Sequence, residues 1–167
     1  MKKELREKLK KIKFLILDVD GVLTDGSIVY SSKGEEIKTF NVHDGYGIEM
    51  LRQNGIPVGI ITGRISSIVE KRAQDLKIED LVQGTIDKIP AAEKFAQKYN
   101  LSFDEIAFIG DDLFDIPLLQ KVGFSAAPKN ARREVKRIVD YVTTNEGGKG
   151  AVREVIDMIL EANELKS

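Results

Sequence analysis

Hydrophobic runs of strand length recur along this chain, and each is followed by a segment in which apolar residues repeat at helical spacing. The runs occupy residues 14–19, 58–61, 81–82, 106–109 and 141–142, and the helical segments occupy residues 45–53, 66–76, 91–99, 115–121 and 150–164. Strands that alternate with helices form parallel sheets with helices on both faces. The pattern therefore predicts an α/β fold that is Rossmann-like and doubly wound, with a mainly parallel sheet.

Three segments lie outside this alternation. Residues 1–12 have apolar positions at helical spacing and predict a short N-terminal helix, and residues 27–40 hold two β-prone pieces around a Ser-Ser-Lys-Gly turn. Residues 147–167 begin with a glycine-rich turn and continue into the last helix. We therefore expect one domain over residues 1–167 with a protruding β-hairpin flap. The spaces between the polar motifs described below leave no room for a cap domain.

The composition excludes several classes of binding partner and of chemical site. The 26 Lys and Arg residues balance 27 Asp and Glu residues, and a net charge of -1 gives no global attraction for nucleic acid or for an anionic membrane. The chain has no cysteine, which excludes disulfides, a thiolate nucleophile and a cysteine-based zinc site. No apolar run approaches the roughly 20 residues of a membrane span. We expect a cytoplasmic protein with neither a nucleic acid nor a membrane partner.

Polar side chains follow four of the predicted strands, near the points where these strands end. In parallel sheets the carboxyl ends of the strands meet at one edge, and ligands bind there. In chain order the polar residues are Asp18 and Asp20, Thr62, Lys88, and then Asp111, Asp112 and Asp115. Each motif taken alone is a common turn or helix cap. Their succession after consecutive strands favours one shared site.

The acidic residues indicate a metal site. Asp18 and Asp20 are two residues apart at a strand end, so their carboxylates are expected to project to the same side and to repel each other without a cation between them. Hard oxygen ligands suit Mg²⁺ and disfavour zinc. The sequence predicts Mg²⁺ bound by Asp18, Asp20 and Asp111, with Asp112 and Asp115 supporting the metal site.

The same residues suit phosphoryl transfer. Asp18 is expected to attack phosphorus in line and form an aspartyl-phosphate, while Asp20 protonates the leaving alkoxide and later activates water. Thr62 and Lys88 offer a hydroxyl group and a positive charge to the phosphoryl oxygens. The residues therefore predict a magnesium-dependent phosphomonoester hydrolase that acts through a covalent intermediate.

Two other classes of protein share part of this pattern. A phospho-aspartate receiver domain also combines an acidic pair, a Thr and a Lys on a doubly wound sheet. It carries its phosphorylated Asp on the third strand, whereas here Asp18 and Asp20 both follow the first. A non-catalytic phosphate-binding module is the third hypothesis, and it does not require every chemical residue to be present. A histidine-based triad is excluded because His43 is the only histidine.

The motifs resemble, in order and spacing, the four motifs of the haloacid-dehalogenase phosphatase superfamily over residues 14–157. Longer strings at residues 18–26, 40–47, 61–64 and 147–154 resemble the 3-deoxy-D-manno-octulosonate 8-phosphate phosphatase family, whose members act in lipopolysaccharide sugar synthesis. The resemblance implies a capless domain, Mg²⁺ held by Asp18, the Asp20 carbonyl and Asp111, and a homotetramer. The substrate contacts it implies are Asp20, Asn41, Val42, His43, Asp44, Gly45, Arg64, Arg72 and Lys88.

Four positions bear on the choice of sugar phosphate. His43 and Glu49 stand where this family usually has basic residues. Relatives that act on nine-carbon keto-sugar phosphates tend to carry an acidic residue where this chain has Arg64. Arg64 and Lys149 therefore favour the eight-carbon substrate, with a nine-carbon or a broader set of sugar phosphates as the alternative. Lys149 is expected to reach the site of a neighbouring subunit.

Overall fold

The main sheet has six parallel strands in the order β5-β4-β1-β6-β7-β8, and a separate hairpin is formed by β2 and β3. The structure is a computed structural model that describes residues 2–165, so residues 1, 166 and 167, at the ends of the predicted terminal segments, lie outside the described residues. In chain order the elements are α1 (Lys3–Leu9), β1 (Phe14–Leu17), β2 (Val29–Tyr30), β3 (Glu36–Ile37), α2 (Val42–Gln53), β4 (Val58–Thr62), α3 (Ser67–Asp75), β5 (Asp80–Gln83), α4 (Ile89–Tyr99), β6 (Ile106–Ile109), α5 (Ile116–Leu119), β7 (Phe124–Ala127), α6 (Arg133–Lys136), β8 (Tyr141–Val142) and α7 (Ala151–Ala162), with 3-10 turns at Phe103–Glu105 and Leu113–Asp115.

The strand β1 lies at the centre of the sheet and contributes to two cores. Leu15 and Leu17 pack into the core beneath α1, α2, α3 and α7, whereas Phe14 and Ile16 pack into the core beneath α4, α5 and α6. Successive side chains of a strand point to opposite faces, so one strand supplies both cores. All four residues are fully buried, which explains why the run is apolar throughout and does not alternate. The predicted α/β fold is confirmed.

The chain reverses its direction of travel across the sheet at β1. From β1 it proceeds to β4 and β5 on one side, and it then crosses to β6, β7 and β8 on the other. In open α/β sheets such a reversal opens a crevice beyond the carboxyl ends of the central strands. The loops after β1, β4 and β6 therefore meet at one place, and they carry the acidic and polar motifs.

Several element boundaries differ from the predictions. The strand β7 was not predicted, because Ser125 and two alanines give it little apolar or β-branched signal. The helix α2 begins at Val42, earlier than predicted, because the Asn41 side chain caps it by accepting from the amides of His43 (2.8 Å) and Asp44 (3.3 Å). The predicted helix over residues 115–121 is only the short α5 after a 3-10 turn.

The hairpin lies outside both cores. Val29 pairs with Ile37 and Tyr30 with Glu36 in antiparallel register, a shorter ladder than the 27–40 segment that was predicted. The apolar side chains of Val29, Tyr30 and Ile37 are 46%, 60% and 49% exposed.

Among residues 2–165, no helix is both long enough and apolar enough to cross a bilayer.

Candidate active site

Asp18 is the first residue after β1 and lies almost completely buried. Its amide donates to the carbonyl oxygen of Ile109 at 3.1 Å, which continues the pairing of β1 with β6 by one residue. Beyond it the chain turns tightly, because the carbonyl oxygen of Val19 accepts from the amides of Val22, Leu23 and Thr24. The turn brings Asp18 and Asp20 to the same cavity, as the spacing predicted, although Asp20 stands in the turn and not in a strand.

A glycine brings this turn close to the loop after β6. Gly21 has a φ of +88°, a left-handed conformation that side chains disfavour. A Cβ atom at this position would lie 2.1 Å from Oδ2 of Asp111, far inside van der Waals contact. Only glycine allows the Asp111 carboxylate to approach the backbone of this turn.

Lys88 joins Asp18 to Asp115 in the interior of the site. Its Nζ lies 2.8 Å from Oδ1 of Asp18 and 2.6 Å from Oδ1 of Asp115, and the three side chains are between 0% and 3% exposed. Lys88 immediately precedes α4, so the helix fixes the root of this long side chain. An ammonium held between two buried carboxylates orients Asp18 and compensates part of its charge.

Asp115 also shapes the loop that carries Asp111 and Asp112. Its Oδ2 accepts from the amide of Asp111 at 2.9 Å and from the amide of Asp112 at 3.2 Å. Because its two oxygens are already used by Lys88 and by these amides, Asp115 supports the site and is a poor candidate for a direct metal ligand.

The carboxylates carry the electrostatic signature of a cation site. Burial, with a smaller contribution from Asp115, raises the pKa of Asp18 to about 6, although Lys88 opposes the shift. Burial and then the charges of Asp18, Asp115 and Asp112 raise the pKa of Asp111 to about 8. Carboxylate oxygens of Asp18, Asp111 and Asp115 all lie within 4.8 Å of one another. Hard oxygen atoms that repel one another so strongly fit a bound Mg²⁺.

The cavity above these carboxylates has a volume of about 330 Å³. Its walls come from the loops after β1, β4, β5 and β6, and its lining residues are Asp18, Asp20, Gly26, Thr62, Gly63, Arg64, Ile86, Asp111, Asp112 and Phe114. Thr62 ends β4, is buried and lines the cavity. The predicted catalytic and metal residues are therefore together at one site, with Lys88 directly behind Asp18.

Other predicted substrate residues lie outside this cavity. Asn41 caps α2, and the Asp44 carboxylate accepts from the amide of Arg153 at 2.8 Å, close to the start of α7. Gly45 leaves room for Arg72, since a Cβ atom there would lie 2.6 Å from the Arg72 guanidinium. Arg72 itself packs over the Phe40 ring, with 5.3 Å between Cζ and the ring centroid, and donates to the Asn41 carbonyl oxygen at 3.4 Å. Val42 beside them is 74% exposed. Within one chain these residues lie apart from the cavity.

The glycine-rich turn before α7 packs against its own chain. A Cβ atom at Gly147 would lie 1.8 Å from the carbonyl oxygen of Gly21, and the amide of Gly148 donates to the carbonyl oxygen of Val22 at 3.0 Å. The two glycines therefore contact their own chain, and the expectation that Lys149 reaches a neighbouring subunit stays a prediction. Lys149 is 63% exposed, pairs with Glu146 at 2.7 Å and lines a second cleft with His43.

Two residues of the site were missed by the sequence interpretation. Lys38 donates to Oδ1 of Asp20 at 2.5 Å, and Glu36 accepts from Arg64 at 2.7 Å. Both lie in the segment that forms the foot of the hairpin, where no motif spacing relates them to the loops after β1 and β4. The one available signal was the presence of charged residues in a segment otherwise typical of an edge strand.

Comparison with known proteins gives concordant results. A family model described as haloacid dehalogenase-like hydrolase matches residues 77–156. The 3-deoxy-D-manno-octulosonate 8-phosphate phosphatase KdsC of Escherichia coli (strain K12) is 46% identical over 155 residues, which cover 93% of this chain and 82% of that protein. The Haemophilus influenzae protein of the same name is 44% identical over 158 residues, covering 95% of this chain and 88% of the relative.

The solved structures that superpose on this chain include proteins of the same name as these relatives. The 3-deoxy-D-manno-octulosonate 8-phosphate phosphatase from Moraxella catarrhalis, determined in complex with magnesium ion, phosphate ion and a KDO molecule, superposes with a TM-score of 0.95 at 42% identity, covering 98% of this chain and 94% of that one. The enzyme of the same name from Yersinia pestis gives a TM-score of 0.95 at 43% identity, covering 97% and 88%.

Proposed function

This chain belongs to the 3-deoxy-D-manno-octulosonate 8-phosphate phosphatase family of haloacid dehalogenase-like hydrolases, and we propose that it hydrolyses 3-deoxy-D-manno-octulosonate 8-phosphate in lipopolysaccharide sugar synthesis. The observation that carries the proposal is the buried Asp18, held by Lys88 at 2.8 Å beneath a cavity that Asp20, Thr62 and Asp111 also line or border. The products are the free sugar acid and inorganic phosphate.

Asp18 acts as the nucleophile in this proposal. With its pKa raised only to about 6, Asp18 is largely ionised at neutral pH and available for attack. Its oxygen forms a bond to phosphorus while the bond between phosphorus and the sugar oxygen breaks, and Asp20 gives a proton to that departing oxygen. Water then attacks the phosphorus of the aspartyl-phosphate and gives a proton to Asp20. This second step releases phosphate and restores the Asp18 carboxylate.

Lys88, Thr62 and the Asp115 carboxylate prepare the site for this reaction. Lys88 fixes the orientation of Asp18 and places a positive charge beside the carboxylate that receives the phosphoryl group. Thr62 offers its hydroxyl group to one of those oxygens. Asp115 holds Lys88 at 2.6 Å and thereby keeps the ammonium group in place.

Mg²⁺ is the cofactor, and Asp18, Asp111 and the backbone carbonyl of Asp20 would hold it. When bound, the ion neutralises the carboxylates and the phosphate dianion. The raised pKa of Asp111, about 8, supports this assignment because the group needs a neighbouring cation to be ionised at neutral pH. Asp112 and Asp115 support the loop that carries Asp111.

We also propose that a homotetramer completes the substrate site. Asn41, His43, Arg72 and Lys149 do not line the cavity of their own chain, and His43 and Lys149 are exposed beside a second cleft. The exposed apolar side chains of the hairpin support association, since unpaired strand edges are commonly buried between subunits. Light scattering tests the oligomeric state, and a fully active monomer contradicts the proposal.

The cytoplasmic location expected from the sequence stays a prediction.

A phosphate-release assay over a panel of sugar phosphates with Mg²⁺ tests the function. We expect 3-deoxy-D-manno-octulosonate 8-phosphate to exceed every other substrate at least about tenfold in kcat/KM, or about 1.4 kcal/mol in transition-state binding. A preference for a nine-carbon keto-sugar phosphate, or no preference, contradicts the eight-carbon assignment.

Asp18→Asn and removal of the metal test the mechanism in the same assay. Asp18→Asn and an excess of EDTA should each abolish turnover, and added Mg²⁺ should restore it only in the second case. A beryllium fluoride complex should form on the Asp18 carboxylate. Turnover by Asp18→Asn would contradict the assignment of Asp18 as the nucleophile. No multiple turnover by the unaltered protein would favour the receiver-like or phosphate-binding hypothesis.

A further inference from the structure

A chain of charged side chains connects the foot of the hairpin to the cavity. Lys38 Nζ lies 2.5 Å from Oδ1 of Asp20 and 3.3 Å from Oε1 of Glu36. Glu36 in turn accepts from Nη2 of Arg64 at 2.7 Å and from the Ser66 hydroxyl at 3.0 Å. Two carboxylates and two cations thus balance one another between the hairpin and the loops after β1 and β4.

Burial distinguishes this series of charged side chains from an ordinary surface ion pair. The Lys38 side chain is 2% exposed, although it belongs to a segment whose neighbours are largely in solvent, and Glu36 is 17% exposed. Exposed pairs contribute little because water screens them and because two flexible side chains must be ordered. The ammonium of Lys38 is instead desolvated between two carboxylates, which fixes its position.

The Asp20 carboxylate depends on this lysine for its orientation. Asp20 stands in the turn after β1, and within residues 2–165 Lys38 is the one hydrogen-bond partner of its carboxylate. A general acid or base must lie within hydrogen-bond reach of the reacting oxygen, about 2.6–3.2 Å. A carboxylate free to rotate in a turn would satisfy that requirement only part of the time.

We propose that Lys38 is a positioning residue that orients Asp20 for proton transfer, and that Glu36 holds Lys38 in place. The inference rests on the proposed function, in which Asp20 is the acid and base. Lys38 engages Oδ1 of Asp20, which leaves Oδ2 to carry the proton to the departing sugar oxygen and to accept one from the attacking water. Because Lys38 lies beside β3, the hairpin that extends from the domain also determines the geometry of the proton-transfer group.

The nature of the leaving group provides the first test. We compare Lys38→Met with the unaltered protein on 3-deoxy-D-manno-octulosonate 8-phosphate, whose alkoxide needs a proton to leave, and on p-nitrophenyl phosphate, whose phenolate does not. General acid catalysis contributes about 10²- to 10⁴-fold, so loss of its orientation should lower kcat/KM on the sugar phosphate about 10- to 100-fold, because kcat/KM reports the formation of the aspartyl-phosphate and not its later hydrolysis. On p-nitrophenyl phosphate we expect less than about a threefold change in kcat/KM, since that leaving group does not use Asp20 as an acid.

Other variants separate positioning from general damage. Lys38→Arg keeps a cation and should recover most of the sugar-phosphate rate, and Glu36→Gln should give a smaller loss with the same dependence on the leaving group. Lys71→Met is the matched control, because Lys71 pairs with Asp75 at 2.5 Å but is 71% exposed. It should change neither rate. In an Asp20→Asn background, Lys38→Met should have no further effect on the sugar-phosphate rate.

A crystal structure of Lys38→Met keeps the inference testable whatever the substrate of the protein proves to be. We expect the Asp20 carboxylate to rotate or to occupy several orientations while Asp18 and Lys88 stay in place. An unmoved Asp20 carboxylate overturns the inference, and so does an equal loss on both substrates or an unchanged or increased rate on the sugar phosphate. If the unaltered protein does not hydrolyse the sugar phosphate, the proposed function fails, and the structure of the variant alone decides the role of Lys38.

Discussion

Replacement of Lys88 by methionine should destabilise the protein more than any replacement of an exposed lysine. The substitution keeps most of the apolar stem and removes the charge that lies between Asp18 at 2.8 Å and Asp115 at 2.6 Å. Because all three side chains are at most 3% exposed, the two carboxylates are left in the interior without a cation. Removing one partner of a buried ion pair costs about 3–5 kcal/mol. For a domain of this size that corresponds to a loss of about 6–20 °C in Tm.

Urea denaturation followed by circular dichroism in EDTA measures this effect. Lys98→Met is the matched control, since Lys98 pairs with Asp80 at a similar 2.7 Å but is 48% exposed. Its expected cost is small, because water screens an exposed ion pair. Adding Asp115→Asn to Lys88→Met should recover part of the loss, because it removes one of the uncompensated charges. A cost for Lys88→Met no greater than that for Lys98→Met would contradict this expectation, and so would a double variant less stable than Lys88→Met.

Three further predictions follow from the site and the hairpin. In the folded protein the pKa of Asp18 is raised from 3.8 to about 6 and that of Asp111 to about 8. Because the folded state holds these protons more tightly than the unfolded state, the protein without metal should lose stability as the pH rises from about 4 to 8. Mg²⁺ should bind more tightly over the upper part of that range, because it displaces the same protons. Calorimetry from pH 6 to 8 should show affinity rising by up to about tenfold per pH unit for each proton displaced, and a flat profile contradicts the assignment. In Gly147→Ala the new Cβ atom would lie 1.8 Å from the Gly21 carbonyl oxygen, so this variant should lower the free energy of unfolding by about 1–3 kcal/mol and weaken Mg²⁺ binding. Gly34→Ala, whose Cβ atom would lie in open space, should leave Mg²⁺ binding unchanged. Replacing the cross-strand pair Val29 and Ile37 by serine should produce a smaller species in light scattering, and an unchanged mass argues against association through the hairpin.

The fold class and the residues at the centre of the site could be predicted from the amino-acid sequence alone. Alternating apolar and helical periods are local properties, and a parallel sheet brings the carboxyl ends of its strands to one edge whatever the side chains are. Asp18 and Asp111 follow β1 and β6, and Thr62 ends the neighbouring strand β4, so their proximity could be predicted from the order of the elements. The strand β7 escaped prediction because small residues in a fully buried strand leave no periodic signal.

The pairing of the charged groups depends on the tertiary structure. Asp115 pairs with Lys88 and accepts from two backbone amides. Lys38 donates to Asp20, 18 residues away in the sequence, from a hairpin whose orientation no sequence periodicity encodes. Likewise, the packing of α7 turned Asp44 inward to the Arg153 amide and away from the cavity. Hydrophobic patterning specifies which face of an element is buried, but the partner of a buried charge depends on distances between elements that are far apart in the chain. Those distances exist only once the sheet, the hairpin and the helices have packed together.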